Sequence, residues 1–206
     1  MKKILLLVIL SPLLTEVKTD DQLWYGIQID KSLKNLGIEI SKENRLKDDY
    51  NNIHKSLTEL SISYKIHNYL KPSAQVRNIQ YNDKFKSRIG LSNKAVFSQK
   101  KIKYGIKTKL QKDFLNNKTP ENLVIRNKFS IEYKFLDFFE PYLSYELFHE
   151  LINNNLNFEK YRVSIGTKYD ISTISSLKLF YCYSGNFDKD DFEIINIIGT
   201  NYEISF

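Results

Sequence analysis

The chain ends Ile198-Gly199-Thr200-Asn201-Tyr202-Glu203-Ile204-Ser205-Phe206, with Ile198, Thr200, Tyr202, Ile204 and Phe206 alternating against Gly199, Asn201, Glu203 and Ser205. Successive side chains of a strand point to opposite faces, so this is a strand with one apolar and one polar face. The same rhythm recurs upstream. In Lys101 to Gln111, Ile102, Tyr104, Ile106 and Leu110 oppose Lys103, Lys107 and Lys109; in Leu123 to Lys134, Ile125, Phe129, Ile131 and Tyr133 oppose Arg126, Lys128 and Glu132. Eleven such segments are found, from Leu23 to Ile29 and Leu33 to Leu46 at the start to Ser175 to Tyr183 and Phe192 to Phe206 at the end. Asn51 to Leu70 also fits an amphipathic helix, but its alternation from Glu59 to Ile66 favours a strand.

The chain has 206 residues, 42% hydrophobic and 14% aromatic, with seven glycines and four prolines, so it is long enough to fold as one domain and is neither disordered nor collagen-like. The single cysteine, Cys182, excludes an internal disulfide, a multi-cysteine zinc site and CxxC redox chemistry. No cofactor and no metal is expected. Mean hydropathy is −0.41, a value typical of water-soluble chains, yet fourteen tyrosines and thirteen phenylalanines stand beside one tryptophan.

Met1-Lys2-Lys3 followed by the apolar run Ile4 to Leu14 has the basic start and short greasy middle of a secretory leader. The run is too short to cross a bilayer as a helix, which takes about 20 residues. We expect a signal peptide over 1–19, cut between Thr15 and Asp20, and a barrel over 20–206. Loss of Lys2, Lys3, Lys18 and Glu16 leaves 28 basic against 23 acidic residues, still net positive.

Links between the segments alternate between short ones and longer polar ones such as Leu46 to Lys55, Asp113 to Glu121, Glu150 to Leu156 and Ser184 to Asp190. That alternation suits a meander whose two rims face different compartments. A terminal strand whose apolar row runs through Tyr202 and Ile204 onto Phe206 resembles the C-terminal signal read by the outer-membrane barrel assembly machinery. The expected fold is therefore all-β, an up-and-down antiparallel transmembrane β-barrel of 10 to 12 strands, in the bacterial outer membrane. Bacterial single-chain barrels take an even number of strands, and ten would place both ends in the periplasm; the first segment, Leu23 to Ile29, is then in doubt. Tyr64, Tyr104, Tyr133, Tyr169 and Tyr202 sit on apolar faces near the short links, where a girdle at the lipid headgroups is expected.

With lipid outside, the polar face becomes the lumen. Its basic row is Arg45, Lys65, Arg77, Arg88, Lys103, Lys107, Lys109, Arg126, Lys128, Arg162 and Lys168, joined by Lys94, Lys134 and Lys178. The acidic row, Glu39, Glu43, Glu59, Glu132 and Glu146, joined by Glu140 and Glu203, is too small to cancel it. Long side chains in so narrow a cylinder should largely fill it with ion pairs, leaving at most a narrow path that favours a small anionic solute. The expected role is non-enzymatic, as a conduit or a structural and surface-binding protein.

Trp24 soon after the leader, basic residues within strands, Pro141-Tyr142-Leu143-Ser144-Tyr145-Glu146-Leu147-Phe148, Tyr161-Arg162-Val163-Ser164-Ile165-Gly166 and the closing aromatic together resemble the DUF2490 outer-membrane barrels of Bacteroidetes. The likeness spans essentially the mature chain. It departs where Lys107-Thr108-Lys109 and Arg126-Asn127-Lys128 stand in place of Arg-x-Arg pairs. Since the family has no established activity, the resemblance implies location and architecture and transfers no catalytic residue.

Two enzymatic alternatives have residues behind them. His54 and Ser56, two apart on one strand face, have the spacing of a lipid-hydrolysing pair in which the imidazole takes the hydroxyl proton. Asp48-Asp49 with His54, and His149-Glu150 with Asp188, Asp190 and Asp191, offer protease-like groups at the outer rim. Acidic loops with an occasional histidine are ordinary solvated surface, and one His-x-Ser pair arises readily by chance. A soluble secreted all-β binding protein is the third alternative. Nucleic acid is not an expected partner, because the basic residues lie within alternating strands and form no patch on one loop or helix; outer-membrane lipid and the assembly machinery are.

Overall fold

The computed structural model describes residues 18–47, 50, 52–67, 69–81, 84–115, 119–152, 155–187 and 192–206. Most of the expected leader therefore lies outside the described residues, as do Asp48, Asp49, Asp188, Asp190 and Asp191.

Among the described residues eleven strands form one closed barrel: β1 (Lys18–Leu33), β2 (Leu36–Lys47), β3 (Asn52–Tyr64), β4 (Leu70–Tyr81), β5 (Lys84–Gln99), β6 (Ile102–Leu115), β7 (Thr119–Tyr133), β8 (Phe139–Ile152), β9 (Asn155–Asp170), β10 (Ser175–Asn186) and β11 (Glu193–Ser205). Each sequential pair is antiparallel. An odd number of strands obliges the first and last to run the same way, and β1 and β11 close the wall as a parallel pair in register from Lys18↔Glu193 to Asp30↔Ser205. The doubtful first segment is thus part of the wall. Lys18 and Phe206 consequently stand at opposite rims, where ten strands would have brought both ends to one.

The strands also run into stretches expected to be loops. Leu46 to Lys55, Asp113 to Glu121 and Glu150 to Leu156 are mostly strand, because ladder hydrogen bonds are made by the backbone and tolerate polar side chains. At the other rim the links are tight: Lys34-Asn35 and Lys100-Lys101 each join two strands directly, with φ of 54° at Lys34 and Lys100. In the β7–β8 turn, the Lys134 ammonium 3.0 Å from Asp137 holds that carboxyl below its usual range by hydrogen bond and charge.

The sides of the wall are inverted relative to a soluble barrel. Among the described residues six apolar side chains are buried against thirteen polar or charged ones, while Ile40, Leu60, Ile62, Val76, Leu91 and Ile165 are each about half exposed or more. Apolar rows face outward because lipid, not a core, is their expected neighbour. Tyr64, Tyr104, Tyr133 and Tyr169 are exposed on that outer face toward the tight-turn rim.

One row across five strands explains how the barrel closes around bulky groups. Trp24 on β1 pairs with Gly199 on β11, which pairs with Phe180 on β10, then Gly166 on β9, then Tyr142 on β8. Aromatic and glycine alternate. A Cβ at Gly199 would collide with the Phe180 ring, and one at Gly166 would lie 2.8 Å from both Phe180 and Tyr142. The glycines leave room on the inner wall for their neighbours' rings, and Trp24, Phe180, Cys182, Ile195 and Ile197 form a small apolar cluster there.

Candidate functional site

The lumen is the candidate site, and strand parity builds it. On β6 the odd positions point inward, which brings Lys103, Lys107 and Lys109 to one cavity of about 530 Å3. Arg77 and Lys94 reach it from β4 and β5, Arg126 and Lys128 from β7, and Lys168 and Lys178 from β9 and β10. Glu59, Glu132, Glu140, Glu146 and Glu203 supply its acidic lining, so cations outnumber carboxylates nine to five.

Much of this charge is paired across the ladder. Glu59 and Arg77 are register partners on β3 and β4 with Nε to Oε2 at 2.6 Å. Arg88 and Asp113, opposite on β5 and β6, form a bidentate pair at 2.6 and 2.7 Å. Arg126 donates to Glu146 at 2.8 Å, Lys178 to Glu203 at 2.6 Å and Lys103 to Glu140 at 3.0 Å. Such pairs satisfy buried charges that would be costly alone.

One row has no direct ion pair. Lys94, Lys107 and Lys128 stand directly opposite one another on β5, β6 and β7. Among the described residues none has a carboxylate within 4.0 Å.

A second cavity of about 320 Å3 lies at the rim opposite Phe206, lined by Arg45, Arg88 and Arg162 and sharing Arg77 and Arg126 with the first. Its cations rest on aromatic faces: Arg45 lies 3.6 Å from the Trp24 ring, Arg162 lies 5.2 Å from Trp24 and 4.8 Å from Phe148, and Arg126 lies 4.6 Å from Phe148. A third, about 260 Å3, gathers Glu39, Glu43, Glu59 and Glu203 with Lys42, Arg77 and Lys178, so most of the acidic lining collects on the β2–β3 and β11 side beside cations.

Lys65 is placed elsewhere. It follows the last residue of β3, is exposed at the tight-turn rim and lines none of these cavities, because β3 ends one residue earlier. Tyr202 and Ile204 lie on the outer row of β11, and Phe206 is exposed, its N–H donating to Asp30 O at 2.9 Å. Of the hydrolase candidates, His54 joins the wall of the second cavity, while Ser56 lies on β3 opposite Asn44 and Gln80. His149 packs against Phe158 at 4.6 Å. No cluster of three or more metal-ligating side chains occurs among the described residues.

Several lumen residues escape sequence reading. Trp24, Tyr142, Phe148 and Phe180 point inward although aromatic, and their parity with Gly26, Glu146 and Lys178 is the available signal. Lys55 and Asp113 fall in stretches expected to be loops, yet each continues the inward row of its strand.

A closed β-wall, apolar outside and charged within, defines a barrel of the outer-membrane protein type. Residues 21–193 match the family described as "Protein of unknown function (DUF2490)", and the chain belongs to that family. Among solved structures it is similar to the NanC porin, at TM-score 0.54 and 10% identity over 80% of this chain and 86% of that one. It also matches OmpT, an outer membrane protein of Vibrio cholerae, at TM-score 0.39 and 13% identity over 77% of this chain but 58% of that one. A search of curated proteins found no match.

Proposed function

We propose that the protein is a non-enzymatic outer-membrane barrel whose lumen forms a narrow, anion-favouring path. On this reading the residues ahead of β1 are the leader, the apolar wall contacts outer-membrane lipid, and the assembly machinery reads the strand ending in Tyr202, Ile204 and Phe206. The tight-turn rim with Phe206 faces the periplasm, and the second, basic cavity opens outward.

The carrying observation is the row Lys94–Lys107–Lys128. Like charges directly across a ladder oppose folding. Two unit charges about 5 Å apart at an effective dielectric of about 20 repel by about 3 kcal/mol. Such a row is tolerable where water and mobile anions enter, and those anions are what the path admits. Reconstitution in planar bilayers under a potassium chloride gradient tests this. A reversal potential of the sign that favours chloride supports the reading. Cation preference, or no conductance from correctly folded protein, refutes it.

A further inference from the structure

The second cavity has a chemistry that the path alone does not require. Eight of its lining side chains are lysine or arginine and, among the described residues, none is a carboxylate. Carboxylates that are not part of its lining hold six of these cations, such as Glu43 on Arg45 and Asp113 on Arg88.

Two of the cations are left under-compensated. Among the described residues Arg162 reaches only Glu146, at 3.9 Å, a carboxylate already held at 2.8 Å by Arg126, and its Nε is buried without a hydrogen-bond partner. With Trp24 and Phe148 both near its guanidinium, the edge bearing N–H groups is what remains for a ligand. Lys55 has no carboxylate within 4.0 Å among the described residues, and its ammonium stands 5.8 Å from the Tyr81 ring. An orphaned buried guanidinium donor is costly and calls for an oxygen acceptor. Chloride supplies one charge and no fork; an oxyanion with two or more charges supplies both.

We propose that this chamber is a binding site for a small multivalent oxyanion, bearing phosphate or carboxylate groups, with Arg162 and Lys55 as its principal contacts. Its volume, about 320 Å3, is at the small end of ligand pockets. The inference rests on the reading of the lumen as basic and wet, but not on conduction.

Calorimetric titration of the folded, detergent-solubilised protein with pyrophosphate, citrate and chloride tests it. Pyrophosphate or citrate should bind saturably with one site, at least about tenfold more tightly than chloride, and weaken as salt rises. R162Q and K55Q should each weaken binding by about tenfold while keeping the heat-modifiable gel shift of a folded barrel. Should either variant fail to fold, block of wild-type conductance by pyrophosphate added on the side of this cavity replaces it. Equal affinity for chloride and the multivalent anions, or unchanged affinity in both variants, overturns the site. A barrel that conducts chloride without multivalent binding keeps the path and loses the site. Binding without conductance does the reverse.

Discussion

Arg45 lies directly across the β1–β2 ladder from Trp24, and its guanidinium stacks on the indole at 3.6 Å. The contact places the single tryptophan inside the lumen, 8% exposed, and holds a cation at the entrance to the basic cavity. Cation and ring face each other away from lipid, which strengthens the attraction.

Trp24 therefore reports on the interior. Its fluorescence should be quenched little by brominated lipids, because the β1 outer row is Leu23, Tyr25 and Ile27. Strong quenching by acyl-chain bromines would show the indole facing the bilayer and reverse the parity of β1.

Removing the Glu146 carboxylate should destabilise the barrel. Glu146 holds Arg126 at 2.8 Å and is the nearest carboxylate to Arg162. Glu146→Gln strands two interior guanidinium groups, at a cost of about 3–5 kcal/mol. Urea unfolding in micelles, followed by circular dichroism, should show the midpoint lowered. An unchanged midpoint would mean that the pair is solvated.

Gly199 admits no side chain. Gly199→Val would drive a branched Cβ into the Phe180 ring and distort the β1–β11 seam, so heat-modifiable migration should be lost or its transition lowered. The double variant with Phe180→Ala should recover part of the loss. No recovery in the double variant would locate the fault outside this contact.

Lys107 occupies the middle of the row that has no direct ion pair. Lys107→Glu changes the local charge by two and faces Lys94 and Lys128 with a partner. Anion preference in the reversal potential should fall or invert, and stability should rise by about 1 kcal/mol or less. Selectivity equal to wild type would remove this row from the path.

The wall was legible in the sequence because period-two alternation requires only local residues, and all eleven segments are strands. What closes the wall was not. Whether Leu23 to Ile29 belonged to the barrel depended on pairing with β11, some 170 residues away, and no local pattern announces a parallel seam. Strand ends failed for a related reason: around Lys55 and Asp113 the side chains turn polar on both faces, so alternation fades while the backbone ladder continues. Parity places the basic lumen row except at Lys65 and Lys134, each one residue past the end of its strand, β3 and β7. Which cations are directly paired was invisible beforehand, since Arg88–Asp113 and the Lys94–Lys107–Lys128 row are set by register.

The central claim is that neighbouring positions on one strand face different media. Ile106 and Lys107 test it most directly, one 43% exposed on the outer wall and the other lining the lumen. In a Cys182→Ser background, spin labels at Ile106→Cys and Lys107→Cys are compared in lipid vesicles with oxygen and with a water-soluble nickel chelate as relaxants. The label at 106 should respond to oxygen and the label at 107 to the chelate. A water-like response at both positions, or the reverse assignment, would contradict a lipid-facing apolar wall around a basic lumen.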